Sequence, residues 1–264
     1  NYPDALAGAA LAGSEGSPVL LTQDSHLPSA TRAALEGLEP QRIVILGDER
    51  SVDADVAAVL ADYTDGDVSR IGGAQRYATA AMVAAEFSAP DTVYVATGLD
   101  YPDALAAAAR AGAGDDPVLL VKKDAIPSDT RAALEAAAPE RIVVLGDENT
   151  IEDDIALQLS AYAETVERVA GADRYETAAM LSAELEAATH GFVATGQDWP
   201  DALAGAAAAA HLDAPVVLAK LDALPSATRT ELERLEPPHL RVLGDELTIN
   251  EDVFTALEDL DYTD

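Results

Sequence analysis

The stretch Val93–Ala109, VYVATGLDYPDALAAAA, guides the interpretation of the whole chain. Its first residues are apolar and largely β-branched, as in a buried strand, and Thr97-Gly98 ends that run. Pro102 suits the first turn of a helix, where its missing N–H leaves no hydrogen bond unmade, and Asp103 faces the positive end of the helix dipole. The alanines that follow have the highest helix propensity. The stretch therefore predicts a buried strand, a tight turn and a helix.

A repeat of just under 100 residues runs through the chain. The hexapeptide YPDALA or WPDALA occurs three times, and its prolines are 99 and 98 residues apart, at Pro3, Pro102 and Pro200. The LGDE motif shows the same spacings, at Gly47, Gly146 and Gly244. The segment RIGGAQRY returns 98 residues later as RVAGADRY, at Arg70–Tyr77 and Arg168–Tyr175. Because similarity at a fixed period is the signature of repeat architectures, we predict three repeats, 1–66, 67–164 and 165–264.

The first repeat is incomplete at its N-terminal side. It lacks the block that corresponds to Val68–Asp100, which is 33 residues long. The last residues, by contrast, match the end of an earlier repeat, since DYTD at 261–264 corresponds to DYTD at 62–65. We therefore expect the mature protein to have at least another 33 residues upstream of Asn1.

Each complete repeat is predicted to contain four short apolar strands, each followed by a helix. The predicted strands are Val93–Ala96, Val118–Val121, Ile142–Leu145 and Val166–Val169. The predicted helices are Pro102–Ala111, Pro127–Ala137, Ile151–Tyr162 and Arg174–Ala188. Continuously apolar strands that alternate with helices are typical of a parallel sheet covered on both faces. The fold class is therefore α/β, with one small three-layer domain per repeat.

The charge of the chain limits its partners and its surroundings. There are 48 acidic residues against 16 basic ones, so the formal net charge is −32. Such a surface is a poor partner for nucleic acid, since duplex binding depends on phosphate neutralisation by Lys and Arg. In molar salt the Debye length is about 3 Å, so the self-repulsion of these acids is screened. The composition therefore indicates a halophilic protein that does not bind nucleic acid.

Several classes of chemistry are excluded or disfavoured. The chain has no cysteine, which excludes disulfides and thiolate sites. No hydrophobic run reaches the length of a transmembrane helix. The acids of LGDE could hold a divalent cation, but a solvated helix start in an acidic protein is the favoured interpretation. We therefore predict no metal and no cofactor.

The repeated arginines and tyrosines are the main candidate site residues. Arg and Tyr together are suited to sugars and carboxylates, through bidentate hydrogen bonds and an amphipathic ring. Arg174 could instead pair with the Asp of a PDAL loop and tie the repeats together, and both roles are compatible if ligands bind between repeats. The PDAL Asp itself is a helix cap or part of a ligand loop at the end of a strand. The candidates for a ligand site or repeat interface are Arg70, Arg76, Tyr77, Asp100, Tyr101, Asp103, Arg168, Arg174, Tyr175, Asp198, Trp199 and Asp201.

These motifs resemble the cell-wall-binding repeat 2 family, found in surface proteins of clostridia, actinobacteria and haloarchaea, and we expect a member of the haloarchaeal type. The resemblance rests on R-x-x-G-x-x-R-Y, VATG followed by YPDALA, PVLLV and RIVVLGD in fixed order, and it covers essentially the whole chain. It implies three small α/β domains packed around a pseudo-threefold axis. In clostridial members it implies non-covalent anchoring to an anionic wall polysaccharide. Gln75 departs from the pattern, in which Asp precedes the second Arg, and Trp199 stands where Tyr is usual.

We expect a non-enzymatic, extracellular module at the cell surface that binds an envelope glycan or a surface protein. A motif kept in every repeat serves the packing of repeats or several weak equivalent sites more readily than one asymmetric catalytic centre. A structural subunit of an extracellular filament or surface layer is the alternative, since an incomplete first repeat could expose a sheet edge for self-assembly. A hydrolase that uses Asp100 and Asp103 is disfavoured, because no base, nucleophile or metal set accompanies them.

Overall fold

A computed structural model describes residues 2–100 and 102–260 of the chain, with the side chains of Tyr2, Pro3 and Pro102 left out. Its strands are β1 (Arg42–Leu46), β2 (Asp67–Ile71), β3 (Thr92–Thr97), β4 (Val118–Val121), β5 (Arg141–Leu145), β6 (Thr165–Val169), β7 (His190–Thr195), β8 (Val216–Ala219) and β9 (His239–Val242). Its α-helices are α1 (Tyr2–Ser14), α2 (Ser29–Leu38), α3 (Ala54–Leu60), α4 (Arg76–Ala84), α5 (Pro102–Ala113), α6 (Ser128–Ala137), α7 (Asp153–Leu159), α8 (Arg174–Ser182), α9 (Pro200–His211), α10 (Ser226–Leu235) and α11 (Glu251–Glu258). A 3₁₀ turn, Ala61–Tyr63, follows α3.

The strands form three small parallel sheets. The first sheet pairs β1 with β2, the second has the order β4-β3-β5-β6, and the third has the order β8-β7-β9. Each sheet, with the helices on its two faces, is called a module below, and the modules are numbered 1 to 3 in this order. The α/β class and the parallel pairing predicted from the sequence are confirmed.

The strand that precedes each Arg-Tyr helix pairs with the sheet before it. β2 lies beside β1, with Arg70 opposite Ile45, and β6 lies beside β5, with Arg168 opposite Val144. The sequence repeats predicted at 67 and 165 therefore begin with a strand that belongs to the preceding sheet. Each of these strands leads into a helix, α4 or α8, that crosses to the next module.

Three Ala-rich helices, one from each module, meet at the centre of the molecule. α1, α5 and α9 contact one another and share one large buried cluster with the inner faces of the sheets. Glycine permits the closest approach, since a Cβ on Gly112 would lie 2.6 Å from the carbonyl oxygen of Ala10 and 2.8 Å from the Cβ of Ala210. The modules are thus arranged about an approximate threefold axis, as the family resemblance implied.

Each sheet also has its own outer core. In module 2, Leu134 of α6 and Ile155 and Leu159 of α7 pack on Val93, Val95 and Ile142. Smaller outer clusters cover the other two sheets. Every module therefore has three layers, with a central helix inside, a sheet in the middle and two helices outside. No helix among the described residues is long and apolar enough to cross a membrane.

The predicted helix Arg174–Ala188 ends earlier, at Ser182. Beyond that point Leu185 turns inward and is buried, and the guanidinium of Arg234 donates to its carbonyl oxygen at 2.9 Å. The backbone turns there instead, since the Leu185 N–H donates to the Ser182 carbonyl oxygen at 2.9 Å. The tertiary contact with α10 therefore overrides the good helix propensity of the residues that follow.

Candidate functional site

The candidate residues meet where one module joins the next. α4 contacts α1 of module 1 and also β4 and α6 of module 2. α8 makes the equivalent contacts one module further on, with α5 on one side and β8 and α10 on the other. We call the two regions around the N-termini of these helices the 1–2 junction and the 2–3 junction.

The second arginine of each motif crosses its junction. Nη1 of Arg76 donates to the carbonyl oxygen of Gly98, and Nη1 of Arg174 donates to that of Gly196 at 2.7 Å. Those glycines directly follow β3 and β7, and neither has room for a side chain, since a Cβ would lie 2.7 Å from the ring of Tyr77 or Tyr175. The arginines therefore hold the start of each bridging helix against the carboxyl end of the next sheet.

Arg174 also faces the loop that leads into α5 of module 2, and its ion pair is with Asp100, three residues before the PDAL carboxylate Asp103. Its Nη2 atom lies 3.9 Å from Oδ2 of Asp100, which is a long and half-exposed ion pair. Burial raises the pKa of Asp103. The positive charge of Arg174 opposes that rise, and so does a hydrogen bond from the Thr177 side chain. Arg174 thus supplies the positive charge that a partly buried carboxylate needs at this interface.

The first arginine of each motif has a different position. Nη1 of Arg70 donates to the Gly47 carbonyl at 2.8 Å, and Nη1 of Arg168 donates to the Gly146 carbonyl at 2.6 Å. Gly47 and Gly146 have φ angles of 98° and 88°, so the LGDE turn needs glycine in both modules. Arg70 and Arg168 therefore fix this turn, and the structure places them beside a turn rather than in an open cleft.

The two tyrosines are buried under lysines. Tyr77 and Tyr175 are 7% and 8% exposed, and Nζ of Lys122 and Lys220 lies 6.0 and 5.5 Å from the respective ring centroids. Burial raises the pKa of Tyr77. A cation over the ring face is favourable, but it also covers that face. A ligand in either junction would thus meet arginine, lysine and carboxylate groups before it met an aromatic ring.

A cleft of about 580 Å³ lies at the 1–2 junction. Its floor includes Asp4, which is buried and accepts a hydrogen bond from the Ser51 hydroxyl at 3.3 Å. Its wall includes Arg50, which bonds Asp48 through Nε at 2.7 Å and the Ala74 carbonyl through Nη2 at 3.0 Å. Arg76 and Tyr77 also line the cleft, with Asp24 and Gln75 nearby. The cleft is polar and has both donors and acceptors.

Three further candidates lie at the N-terminus of α9 in module 3, namely Asp198, Trp199 and Asp201. Trp199 is partly buried against the central cluster, and Asp198 accepts a hydrogen bond from the Trp199 backbone N–H at 2.8 Å. Burial raises the pKa of Asp201, and the neighbouring carboxylates Asp245 and Asp198 raise it further. The remaining candidate, Tyr101, lies outside the described residues.

The sequence profile of one family, cell wall binding domain 2, matches residues 1–57, 70–156 and 168–254. The chain belongs to this family. A curated relative, the amidase enhancer of Bacillus subtilis, is 30% identical over 99% of this chain and 36% of its own length. The N-acetylmuramoyl-L-alanine amidase LytC of the same species is 26% identical over 98% of this chain and 51% of its own length. The chain therefore spans about a third to a half of these relatives.

A solved structure has the same architecture as this cell-wall-binding module. Cwp6 from Clostridium difficile superposes with a TM-score of 0.87 over 93% of this chain and 40% of that chain, at 27% identity. The family assignment made from R-x-x-G-x-x-R-Y, PDALA and LGD is therefore confirmed, and with it the predicted three-repeat α/β fold. The expected haloarchaeal type is not supported by these relatives, which come from Bacillus and Clostridium.

The cell-wall-binding module has cleft residues that the repeat pattern did not reveal. Arg50 stands where the other modules have Asn149 and Leu247, so no periodic signal marks it. The sequence feature that points to Arg50 is its position two residues after Asp48 of the LGDE motif. Asp4 belongs to the first PDALA copy, but its burial beneath Ser51 depends on how α1 meets the LGDE turn.

The LGDE carboxylates are engaged in their own turns. Asp147 accepts hydrogen bonds from Asn149 and Thr150, and these bonds lower its pKa. Asp48 has a lowered pKa for a related reason, its bond to Arg50. Within residues 2–100 and 102–260, no group of three His, Cys, Asp or Glu side chains is placed to hold a metal ion. The motif thus behaves as a capped turn before an outer helix.

Proposed function

We propose that this module attaches its parent protein non-covalently to the cell surface by binding an envelope glycan at its module junctions. The observation that carries the proposal is the 580 Å³ polar cleft at the 1–2 junction of a cell-wall-binding fold. The binding is extracellular, and it is repeated in weaker form at the other junctions, so that several modest contacts add up along a polymer.

The chemistry of the cleft suits a ligand rich in hydroxyl groups. Asp4, Asp24 and Asp48 can accept hydrogen bonds from sugar hydroxyls, and Arg50 can donate. The acids also oppose an anionic polymer unless salt screens them, because the chain as a whole has a net charge of −32. We therefore propose a glycan as the ligand and high salt as the working condition of the module.

We take the module to be non-catalytic. Asp100 and Asp103 face Arg174 and Thr177 at an interface between modules. Their positions serve the joining of modules 2 and 3. Any chemistry on the wall would then belong to other parts of a longer protein, as would the choice of where the module is used.

Binding to isolated cell envelopes tests the proposal through Arg50→Ala. Arg50 is exposed and lines the cleft, so its removal should weaken co-sedimentation with envelopes of the producing organism in 2–3 M KCl by about tenfold, the scale of one charged hydrogen bond. The matched control is Arg42→Ala, which also removes an arginine paired with one carboxylate, Glu15, but lies outside the cleft lining.

Both variants should have a thermal unfolding midpoint close to that of the unmodified protein. Periodate treatment of the envelopes, which cleaves vicinal diols of sugars, should abolish binding of the parent protein. Equal binding by parent and Arg50→Ala proteins would refute the cleft as the site, and unchanged binding to periodate-treated envelopes would refute the glycan.

A further inference from the structure

The two bridging helices are alike, and each is followed by a short segment that runs to the next sheet. α4 has the sequence RYATAAMVA and α8 has the sequence RYETAAMLS. We call residues 85–91 the 1–2 connector and residues 183–189 the 2–3 connector. Each connector anchors one large apolar side chain, since Phe87 and Leu185 are both 8% exposed. The apolar anchor is therefore comparable in the two connectors, and their polar contacts are where they differ.

Module 3 holds the 2–3 connector through a buried polar network on α10. The Ser182 hydroxyl at the end of α8 donates to Oε1 of Glu231 at 2.6 Å, and both residues are buried. Arg234 donates to the two carboxylate oxygens of Glu231, at 2.7 and 2.8 Å. Its Nη2 atom also donates to the Leu185 carbonyl oxygen at 2.9 Å. One carboxylate and one guanidinium thus tie α10 both to the end of α8 and to the connector.

Module 2 holds the same connector from the other side. Nη2 of Arg141 donates to Oε1 of Glu184 at 2.8 Å, and Nε of Arg110 lies 3.4 Å from Oε2. Arg110 also reaches module 3, since its Nη1 atom lies 3.9 Å from Oδ1 of Asp213. The Glu184 side chain is 23% exposed, so salt screens these pairs only in part. Charged groups of both modules therefore hold the 2–3 connector.

The 1–2 connector has none of these contacts in the part of the chain that the structure describes. The three positions of the α8–α10 network are alanine in the α4–α6 pair, at Ala84, Ala133 and Ala136. Glu86 corresponds to Glu184, but its side chain is exposed and has no hydrogen-bond or ion-pair partner among the described residues. Of the two arginine positions that would face it, one is Leu11, and the other is Arg42, which pairs with Glu15 instead.

The two kinds of contact resist movement differently. A buried ion pair whose hydrogen bonds are all made fixes one geometry, because any displacement leaves a buried charge without its partner. Alanine surfaces can slide over small distances without exposing such a group, as in the shear motions of packed helices. Every position compared is occupied in both units, so the contrast is one of residue type.

We propose that modules 2 and 3 move as one rigid body, locked at the 2–3 connector, and that module 1 moves against them by small displacements at the 1–2 connector. Ser182, Glu231 and Arg234 lock the module 3 side, and Glu184 with the two arginines of module 2 locks the other side. The cleft of about 580 Å³ therefore lies at the junction whose width changes. This consequence for glycan binding rests on the proposed function, whereas the lock does not and is measured without a glycan.

Spin labels on the outer helices measure the two movements, and the chain has no cysteine of its own to interfere. Ala33, Ala132 and Thr230 are exposed at equivalent positions of α2, α6 and α10. The pair Ala33→Cys and Ala132→Cys reports on modules 1 and 2, and the pair Ala132→Cys and Thr230→Cys reports on modules 2 and 3. In 2–3 M KCl, double electron–electron resonance should give a distance distribution at least about twice as broad for the 33–132 pair as for the 132–230 pair.

A double substitution that removes the lock tests the network itself. Glu231→Met with Arg234→Met removes both charges and keeps long side chains, so that neither charge is left without its partner. It should broaden the 132–230 distribution to the width of the 33–132 distribution and leave the latter unchanged. The matched control is Arg229→Met with Glu233→Met, which removes another ion pair of α10, equally close to the label but not bonded to the connector. The control should leave both widths unchanged.

Two results would overturn the proposal. One is equal widths of the two distributions in the parent protein, and the other is a 132–230 distribution that stays narrow when the lock is removed. Glu184→Gln is the milder variant if the methionine pair does not fold, and it too should broaden the 132–230 distribution; an unchanged width would overturn the lock. Loss of the glycan function would appear instead in the envelope binding of Arg50→Ala, so the two failures are distinguishable.

Discussion

At the scale of single residues, Asp116 is a buried carboxylate that opposes folding at neutral pH. It is buried beside β3, its Oδ1 atom accepts a hydrogen bond from the Thr92 backbone N–H at 2.9 Å, and burial raises its pKa from 3.8 to about 6. The folded state therefore binds the proton more tightly than the unfolded chain. The stability that this proton contributes is fully present below about pH 4 and is lost as the pH rises through 6.

Asp116→Asn should remove this pH dependence. The amide oxygen keeps the bond from Thr92 and has no charge to desolvate, so the variant should be more stable than the parent at pH 7–8 by about 1–3 kcal/mol. The difference should shrink to near zero at pH 4. Denaturant titrations of both proteins between pH 4 and 8 at constant high salt measure it, and the subtraction cancels the general effect of titrating the other acids. A difference that stays constant with pH would contradict the assignment.

The arginines show how far single residues could be interpreted from the sequence. Their repetition led to the hypothesis that Arg174 pairs with the Asp of a PDAL loop, and the structure places its Nη2 atom 3.9 Å from Oδ2 of Asp100, three residues before that Asp. The sequence could not distinguish Arg168, which fixes a glycine turn, from Arg174, which crosses a junction, because both recur with the same period. Which carbonyl an arginine reaches depends on how sheets and helices are placed, and no local pattern encodes that.

At the scale of elements, the close packing of the central helices depends on glycines. Gly112→Ala in α5 would place a Cβ 2.6 Å from the Ala10 carbonyl oxygen, which belongs to rigid helical backbone. We expect a loss of about 1–3 kcal/mol of unfolding free energy, the usual cost of overpacking a close contact. The matched control is Gly37→Ala in α2, where nothing lies within 4 Å of the new Cβ and helix propensity should add about 0.5–1 kcal/mol. Denaturant unfolding measures both, and a neutral Gly112→Ala would show that α5 and α1 can move apart.

Strands and helices were predictable because their signals are local, but their partners were not. The apolar runs at 93–96, 118–121 and 142–145 predicted β3, β4 and β5 to within one residue. Residues 18–21 have the same sequence as 117–120, PVLL, yet they form no strand, because a strand requires a neighbour that only the assembled sheet can provide. The sequence likewise did not predict that β6 pairs with β5, because the periodicity places β6 in the following repeat.

At the scale of the whole molecule, several of the basic residues lie where modules meet. Arg110 and Arg141 contact Glu184, which follows α8, so they join module 2 to the bridging helix. Arg76, Arg174 and the two lysines over Tyr77 and Tyr175 also lie at junctions. These cations stabilise the contacts between modules. Most of the acids are exposed, and their mutual repulsion acts both between modules and within each module.

Salt should therefore control the stability of the assembled modules. With a net charge of −32 the chain repels itself strongly at 0.05 M KCl, where the Debye length exceeds 10 Å, and only weakly above about 1 M, where it is about 3 Å. We expect the thermal midpoint to rise steeply up to about 1 M KCl and then to level off. A midpoint that climbs linearly to 3 M would instead indicate that salt acts through the burial of apolar surface, since that effect does not saturate with screening. Calorimetry at a series of KCl concentrations distinguishes a midpoint that levels off from one that keeps rising. A midpoint independent of salt would refute the proposed high-salt adaptation, because the surface acids would then not destabilise the fold in dilute buffer.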